Sequence, residues 1–395
     1  MKKFLVRILA LALAVLPLVS SAAMADASVF TDEMVERSLF SVGNTQRLHK
    51  AIDKARNGEA VSMVYLGGSI TEGASAQPQK THCYAALSAR LFAEKYMPDP
   101  ALLEYHNAGI SGTPSLLGVT RCQQDVLSHN PDIVFIEYAV NDGTDDRSRM
   151  AYESLVRMIL NSETQPAVIL IFTLTDTGYS AHVHMKQIGK HYDLGMISVY
   201  DAVHIQILQN KMQWSDYSAD FAHPTTDGHA FIARLIGHYF DVAAETPPAA
   251  EYTVPAQARY ACNLENLVNI SKNGDPALVS MGSFPSGVAM CYSYVMGWKH
   301  GAGSNTNTPL TFNVTGTHMT VVFKQENNTN CGDAEVWVDG EYYVRLPGYS
   351  QTAWGQPVTE MILLGENGPH TVEIKMAEGD VAKSFTVLDV AYCGN

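Results

Sequence analysis

Ser69, Gly112, Asn141, Asp220 and His223 have the residue types needed for acyl transfer. A serine hydroxyl is a poor nucleophile until a base takes its proton, and His223 is the candidate base. Asp220 lies three positions earlier and can turn its carboxylate onto the far ring nitrogen. That contact fixes the histidine tautomer and stabilises the imidazolium. A tetrahedral intermediate also needs hydrogen-bond donors aimed at its oxyanion. The backbone N–H groups of Ser69 and Gly112 and the side-chain amide of Asn141 are the candidates.

These groups act together only if the fold gathers them. Val61 to Leu66 is an apolar run that reads as a buried strand, and Gly67-Gly68-Ser69 follows as a tight turn into a helix. Leu102 to His106 is predicted as a second strand, leading into Asn107-Ala108-Gly109-Ile110-Ser111-Gly112. Ile133 to Ile136 is predicted as a third, running toward Asn141-Asp142. Ala167 to Leu174 and Met196 to Tyr200 are predicted as a fourth and a fifth, and Asp220 to Pro224 lies after the fifth. Helices are expected between them: a lead-in over 28–60 that includes Leu39 and Phe40, then 77–96, the stretch after Gly112, 147–160 and 226–239. The 77–96 helix is expected to turn Ala85, Leu87, Leu91 and Phe92 inward. Strands alternating with helices imply right-handed βαβ units and a three-layer sandwich around a parallel sheet. All strand ends on one rim can then converge.

The chain has 395 residues, 46% hydrophobic and 17% charged, which is enough for two domains with cores of their own. Its net charge is −14, and no Lys/Arg run exceeds a pair. Nucleic acid and anionic membrane surfaces are therefore excluded as partners. Lys2, Lys3 and Arg7, the apolar stretch Phe4 to Val19, and small-x-small sites at Ala23–Ala25 and Ala25–Ala27 read as an export signal over 1–27. A secreted or periplasmic protein is expected, with no stable membrane association after cleavage. In such a compartment the six cysteines suit disulfides. Cys83–Cys122 is the sole pairing within the first region; Cys262, Cys291, Cys331 and Cys393 leave three connectivities open.

A first domain over 28–244, a linker over 245–258 and a second domain over 259–395 are expected. Beyond the Pro247-Pro248 signal the pattern alternates, as in 309–314, 319–323, 334–338 and 370–374, with Asp339-Gly340 as a hairpin turn. This predicts an all-β sandwich. Trp298, Trp337, Trp354 and Tyr349 are its candidates for stacking on sugar rings, and core packing is the competing role for Trp337. Arg121 is expected in a structural salt bridge and Asp142 as a cap of the next turn. His182, His184, His191 and His229 are read as surface or packing residues, and Glu72 has no assigned role.

Gly67-Gly68-Ser69, Asn107 to Gly112, Glu137 to Asp142 and Asp220 to Pro224 resemble, in order, blocks of the SGNH (GDSL-type) hydrolase superfamily across roughly residues 60–240. The resemblance implies a flavodoxin-like α/β/α fold. It implies Ser69, Asp220 and His223 as catalytic residues, and Ser69, Gly112 and Asn141 as the oxyanion hole. No metal or organic cofactor is implied. Gly68 and Ala139 depart from the usual aspartate and glycine, as in secreted branches that deacetylate polysaccharides. The second domain resembles the jelly-roll modules that accompany such esterases. A secreted serine esterase acting on acetylated polysaccharide or oligosaccharide is expected. A lipid or aryl-ester acylhydrolase is the alternative and would need an apolar acyl channel. A non-catalytic carbohydrate-binding protein would not need Ser69, Asp220 and His223 intact.

Overall fold

Val61–Gly67 is a strand buried along its whole length, as its apolar composition requires when helices cover both faces. The computed structural model describes residues 29–248 and 251–393, so the expected export signal lies outside the described residues. The first sheet contains β1 (Leu39–Ser41), β2 (Val61–Gly67), β3 (Leu103–Gly109), β4 (Ile133–Glu137), β5 (Ala167–Phe172) and β6 (Gly195–Ser198), in the order β1-β6-β5-β4-β2-β3. All pairs are parallel except β1 with β6. The helices are α1 (Asp32–Ser38), α2 (Gln46–Arg56), α3 (Ser69–Glu72), α4 (Gln79–His82), α5 (Tyr84–Tyr96), α6 (Ser115–Asp125), α7 (Asp146–Leu160), α8 (His182–His191), α9 (Val199–Leu208), α10 (Trp214–Tyr217) and α11 (Thr226–Glu245).

Alternate residues of β2 serve the two faces. Met63 and Tyr65 join a core with residues of α2, α5 and α11. Val64 and Leu66 join another with residues of α6, α7 and α8. This is the expected three-layer parallel α/β fold.

Three local expectations need correction. Leu39 and Phe40 belong not to a lead-in helix but to β1, which pairs antiparallel at the sheet edge. The helix expected over 77–96 breaks at Cys83, whose backbone is extended (φ −66°, ψ 152°), and Leu91 faces outward. The fifth strand stops at Ser198 because its hydroxyl accepts the Asp201 N–H (3.1 Å) and caps α9.

The disulfide expectation also fails. All six cysteines are free thiols in this structure. Cys83 packs in the core on one face of the sheet and Cys122 in the core on the other, so the sheet separates them.

The second sheet contains β7 (Leu267–Asn269), β8 (Leu278–Ser280), β9 (Ser286–Cys291), β10 (Tyr294–His300), β11 (Leu310–Gln325), β12 (Ala334–Val338), β13 (Glu341–Leu346), β14 (Gln356–Met376) and β15 (Phe385–Cys393). Its order is β13-β12-β14-β11-β15-β10-β9, with β7 on β15 and β8 on β11, and the described pairs are antiparallel. The strands expected over 309–314 and 319–323 are one long strand, β11, whose register shifts between Gly316 and His318. Trp298, Phe312, Val321, Ile374 and Val387 are among the residues of its own core.

Helix α6 carries the contact between the domains. Leu117 is fully buried among Cys291, Tyr294, Val322 and Leu388, which stabilises the contact by roughly 1.5–3 kcal/mol. Asn269 donates to the Thr120 carbonyl (3.1 Å), and Arg147 pairs with Glu360 (2.8 Å). The stretch before β7 lies along α7 and the end of α8: Tyr252 donates to the carbonyl of Tyr192, the C-cap of α8 (2.7 Å), Arg157 to the Pro255 carbonyl (2.8 Å), and the Glu153 carboxylate accepts the Tyr260 N–H (2.7 Å).

Candidate active site

Ser69 is the first residue of α3, directly after β2, with Gly68 as the extended residue that caps it. His223 reaches it from the loop before α11. That loop is closed by a bridge between Ser218 and Pro224 and by the Ala219 N–H on the His223 carbonyl (2.8 Å). His223 Nε2 lies 2.9 Å from Ser69 Oγ, and His223 Nδ1 lies 2.7 Å from Asp220 Oδ2. A carboxylate only accepts, so Nδ1 carries the proton and Nε2 is left to accept from the serine hydroxyl.

Asp220 is itself fixed. Its Oδ1 accepts the N–H groups of Ala222 (2.9 Å) and His223 (2.8 Å). Burial pushes this carboxyl up, but those bonds and the His223 ring outweigh it and hold the pKa below the ordinary value. Asp220 therefore stays ionised beside the histidine.

The oxyanion candidates come to the same rim. Asn141 follows β4 in a turn closed by its N–H on the Tyr138 carbonyl (3.0 Å). Its Oδ1 faces Gly68 and has no hydrogen-bond partner among the described residues, leaving Nδ2 as the donor end. A Cβ on Gly68 would lie 2.2 Å from that Oδ1. The glycine at position 68 thus leaves room for Asn141. Gly68→Ala is expected to push Asn141 aside and lower kcat about 10- to 100-fold with little change in thermal stability. Steady-state kinetics on p-nitrophenyl acetate beside a melting curve check this, and an unchanged kcat would contradict it.

Gly112 follows β3 with φ +69°, a conformation that favours glycine. A Cβ there would also lie 2.7 Å from Trp354 Cη2, an atom of the second domain. Trp354 is 57% exposed, and its indole N–H points to the Tyr292 hydroxyl (3.3 Å). Beside it opens a cavity of about 530 Å³ lined by Met290, Tyr292, Lys324, Glu326, Asn327 and Asn328, among others. The other stacking candidates are placed differently. Trp298 is wholly buried, and Lys375 lies over the Trp337 ring at 3.9 Å, so Trp337 is neither core nor an open platform. Tyr349 bridges to Glu326 through its backbone.

Arg121 is buried and structural. It pairs with Asp125 (3.0 Å) and donates to the carbonyls of Gly67 (3.3 Å) and Ala108 (2.6 Å), tying the ends of β2 and β3 together. Asp142 caps α6 rather than its own turn, accepting the Ser115 N–H at 2.7 Å. His229 is fully buried between the Tyr84 N–H (3.2 Å) and the Ala74 carbonyl (3.0 Å); burial pushes its pKa down to about 4, so it stays neutral. His184 is buried too, and burial likewise takes it to about 4.

Two acidic residues matter more than their sequence context suggests. Glu72 bonds to Ser111, next to Gly112. Glu137 ends β4 beneath the nucleophile turn, fully buried, accepting hydroxyls from Thr173 (2.5 Å) and Thr71 (3.2 Å). Its charge at the end of an apolar strand was the visible signal. Burial pushes its pKa up to about 7, against the pull of those bonds. The folded value lies above the unfolded one, so the native state holds the proton more tightly and stability falls as pH rises from about 4.5 to 7. Glu137→Gln removes that titration. Between pH 4.5 and 8 the stability difference is expected to move in favour of the variant by on the order of 3 kcal/mol. Urea unfolding at both pH values measures it, and a constant difference would contradict it.

Residues 65–231 match the model of the GDSL-like Lipase/Acylhydrolase family. The chain is also similar to a solved two-domain esterase (CEX) active on acetylated mannans, at 28% identity and a TM-score of 0.79, over 91% of this chain and 98% of that one. The same figures for coverage and TM-score hold for that esterase co-crystallized with mannopentaose, at 27% identity. No curated protein sequence matches the chain. Among the described residues no helix is long and apolar enough to cross a membrane.

Proposed function

We propose that this chain, a carboxylic ester hydrolase with a GDSL-like lipase/acylhydrolase domain, removes O-acetyl groups from mannan-type polysaccharide through an acetyl-enzyme on Ser69. The observation that carries the mechanism is the unbroken relay from Asp220 Oδ2 through His223 to Ser69 Oγ, with links of 2.7 and 2.9 Å. His223 takes the Ser69 proton as Oγ attacks the acetyl carbonyl. The N–H groups of Ser69 and Gly112 and the Asn141 amide hold the oxyanion. His223 then protonates the departing sugar oxygen. Water, activated by the same ring, frees acetate and restores Ser69.

Three features support a sugar leaving group. Trp354 puts an exposed aromatic face beside Gly112, and pyranose rings present apolar faces to such groups. The cavity next to it includes Lys324, Glu326, Asn327 and Asn328, which suit hydroxyls better than an acyl chain. The similar esterase acts on acetylated mannans. The segment 1–27, read as an export signal, would deliver the enzyme outside the cytoplasm, where polysaccharide is met.

The test is acetate release from acetylated mannan, xylan, xyloglucan and pectin, beside long-chain lipid esters. Mannan is expected to be the best substrate. Faster turnover of long-chain esters would replace this reading with the lipid acylhydrolase. Trp354→Ala is expected to raise KM for acetylated manno-oligosaccharide about 3- to 10-fold more than for p-nitrophenyl acetate. Equal effects on the two substrates would remove Trp354 from the sugar site.

A further inference from the structure

Glu72 ends the short helix that Ser69 begins. Its side chain reaches out of that helix to the loop after β3. Oε2 accepts the Ser111 N–H at 2.9 Å and also the Ser111 hydroxyl. Ser111 immediately precedes Gly112, whose φ is +69°.

The two turns abut closely. A Cβ on Gly109 would lie 2.1 Å from the Glu72 nitrogen. Two further bonds join them upstream: the Ile110 N–H on the Gly67 carbonyl (3.1 Å) and the Asn107 amide on the Thr71 carbonyl (2.8 Å). Both hold the start of the loop, whereas Glu72 takes hold one residue from Gly112. Two donors converge on one carboxylate oxygen, and bonds to an ionised acceptor are the stronger kind.

We propose that Glu72 is a positioning residue that sets the oxyanion hole, its carboxylate fixing the Gly112 N–H relative to Ser69. The role rests on the esterase reading given above. Glu72 touches no reacting atom in this account; it acts through Ser111. Its effect belongs to the transition state, because the oxyanion is absent from bound substrate. Freeing the loop lets the Gly112 donor drift, and a misplacement of about 1 Å can cost on the order of 10²-fold in rate.

Kinetics of Glu72→Ala, Glu72→Asp and Glu72→Gln on p-nitrophenyl acetate, with thermal unfolding of each, test this. Alanine and the shorter aspartate are expected to lower kcat about 30- to 100-fold and leave KM within about twofold. Glutamine keeps an oxygen that accepts from the same two donors, so it is expected to stay within about fivefold of wild type. Should the alanine variant not fold, aspartate against glutamine carries the same comparison. A kcat within about threefold of wild type in alanine and aspartate overturns the role. A loss equal in glutamine and aspartate that tracks lowered thermal stability overturns it as well. An active wild type with unchanged Glu72 variants overturns Glu72 alone, whereas a wild type without esterase activity overturns the reading beneath it.

Discussion

Ser69→Ala is expected to lower kcat by on the order of 10⁵–10⁶ on every ester the protein hydrolyses. The alanine has no hydroxyl to form the acetyl-enzyme, and the oxyanion donors alone leave only a residual rate. The change should be silent in the fold. Gly68, not Ser69, caps α3, and the hydroxyl's described bond is the one to His223. Melting of wild type and variant should therefore coincide within about 2 °C. Acetate release from p-nitrophenyl acetate and from acetylated mannan measures the loss. An alanine variant within about tenfold of wild type would remove Ser69 from the mechanism.

Asp220→Asn is expected to be nearly as severe, on the order of 10⁴ in kcat, and worse than Asp220→Ala. The reason is local. Oδ1 of Asp220 accepts two backbone N–H groups, from Ala222 and His223. In asparagine the oxygen must stay on those donors, so the amide nitrogen faces His223 Nδ1. Two N–H groups cannot face each other, and the ring takes the other tautomer, with its proton on Nε2. That proton points at Ser69 Oγ, and the base is lost. Alanine forces no tautomer. The Asp220 side chain is 45% exposed, so water can serve in its place and the loss is expected nearer 10². kcat for the two variants, measured side by side, decides it. An asparagine variant as active as the alanine variant would contradict the tautomer argument.

The parallel fold and the five site residues were legible for a physical reason. Strands buried on both faces are continuous apolar runs, and two such runs end just before Gly67-Gly68-Ser69 and before Asn141, whereas the strand leading to Gly112 is a half-buried edge strand of mixed composition. Residue chemistry and strand order pointed to one shared rim, and the resemblance of the four blocks supplied the roles. What stayed hidden depends on contacts across the chain. Nothing local ties Trp354 to Gly112, which sit in different domains and meet where the second domain packs against α6. Glu72 carried no local sign of its partner either, since the bond to Ser111 spans two turns that meet only in the folded sheet. The cysteines misled because an even count suits pairing, while the sheet between Cys83 and Cys122 is invisible to counting. Short elements were misjudged for a related reason. β1 owes its extended form to pairing with β6, and the fifth strand stops at Ser198 because that serine caps α9.

The central claim is that Ser69 carries the acetyl group during turnover. Mass spectrometry of acid-quenched enzyme, taken during turnover of p-nitrophenyl acetate and digested to peptides, tests it most directly. The account predicts an acetyl adduct on the peptide containing Ser69, and no such adduct in Ser69→Ala. Sustained acetate release with no adduct in the wild type, or with the adduct on another residue, would contradict it.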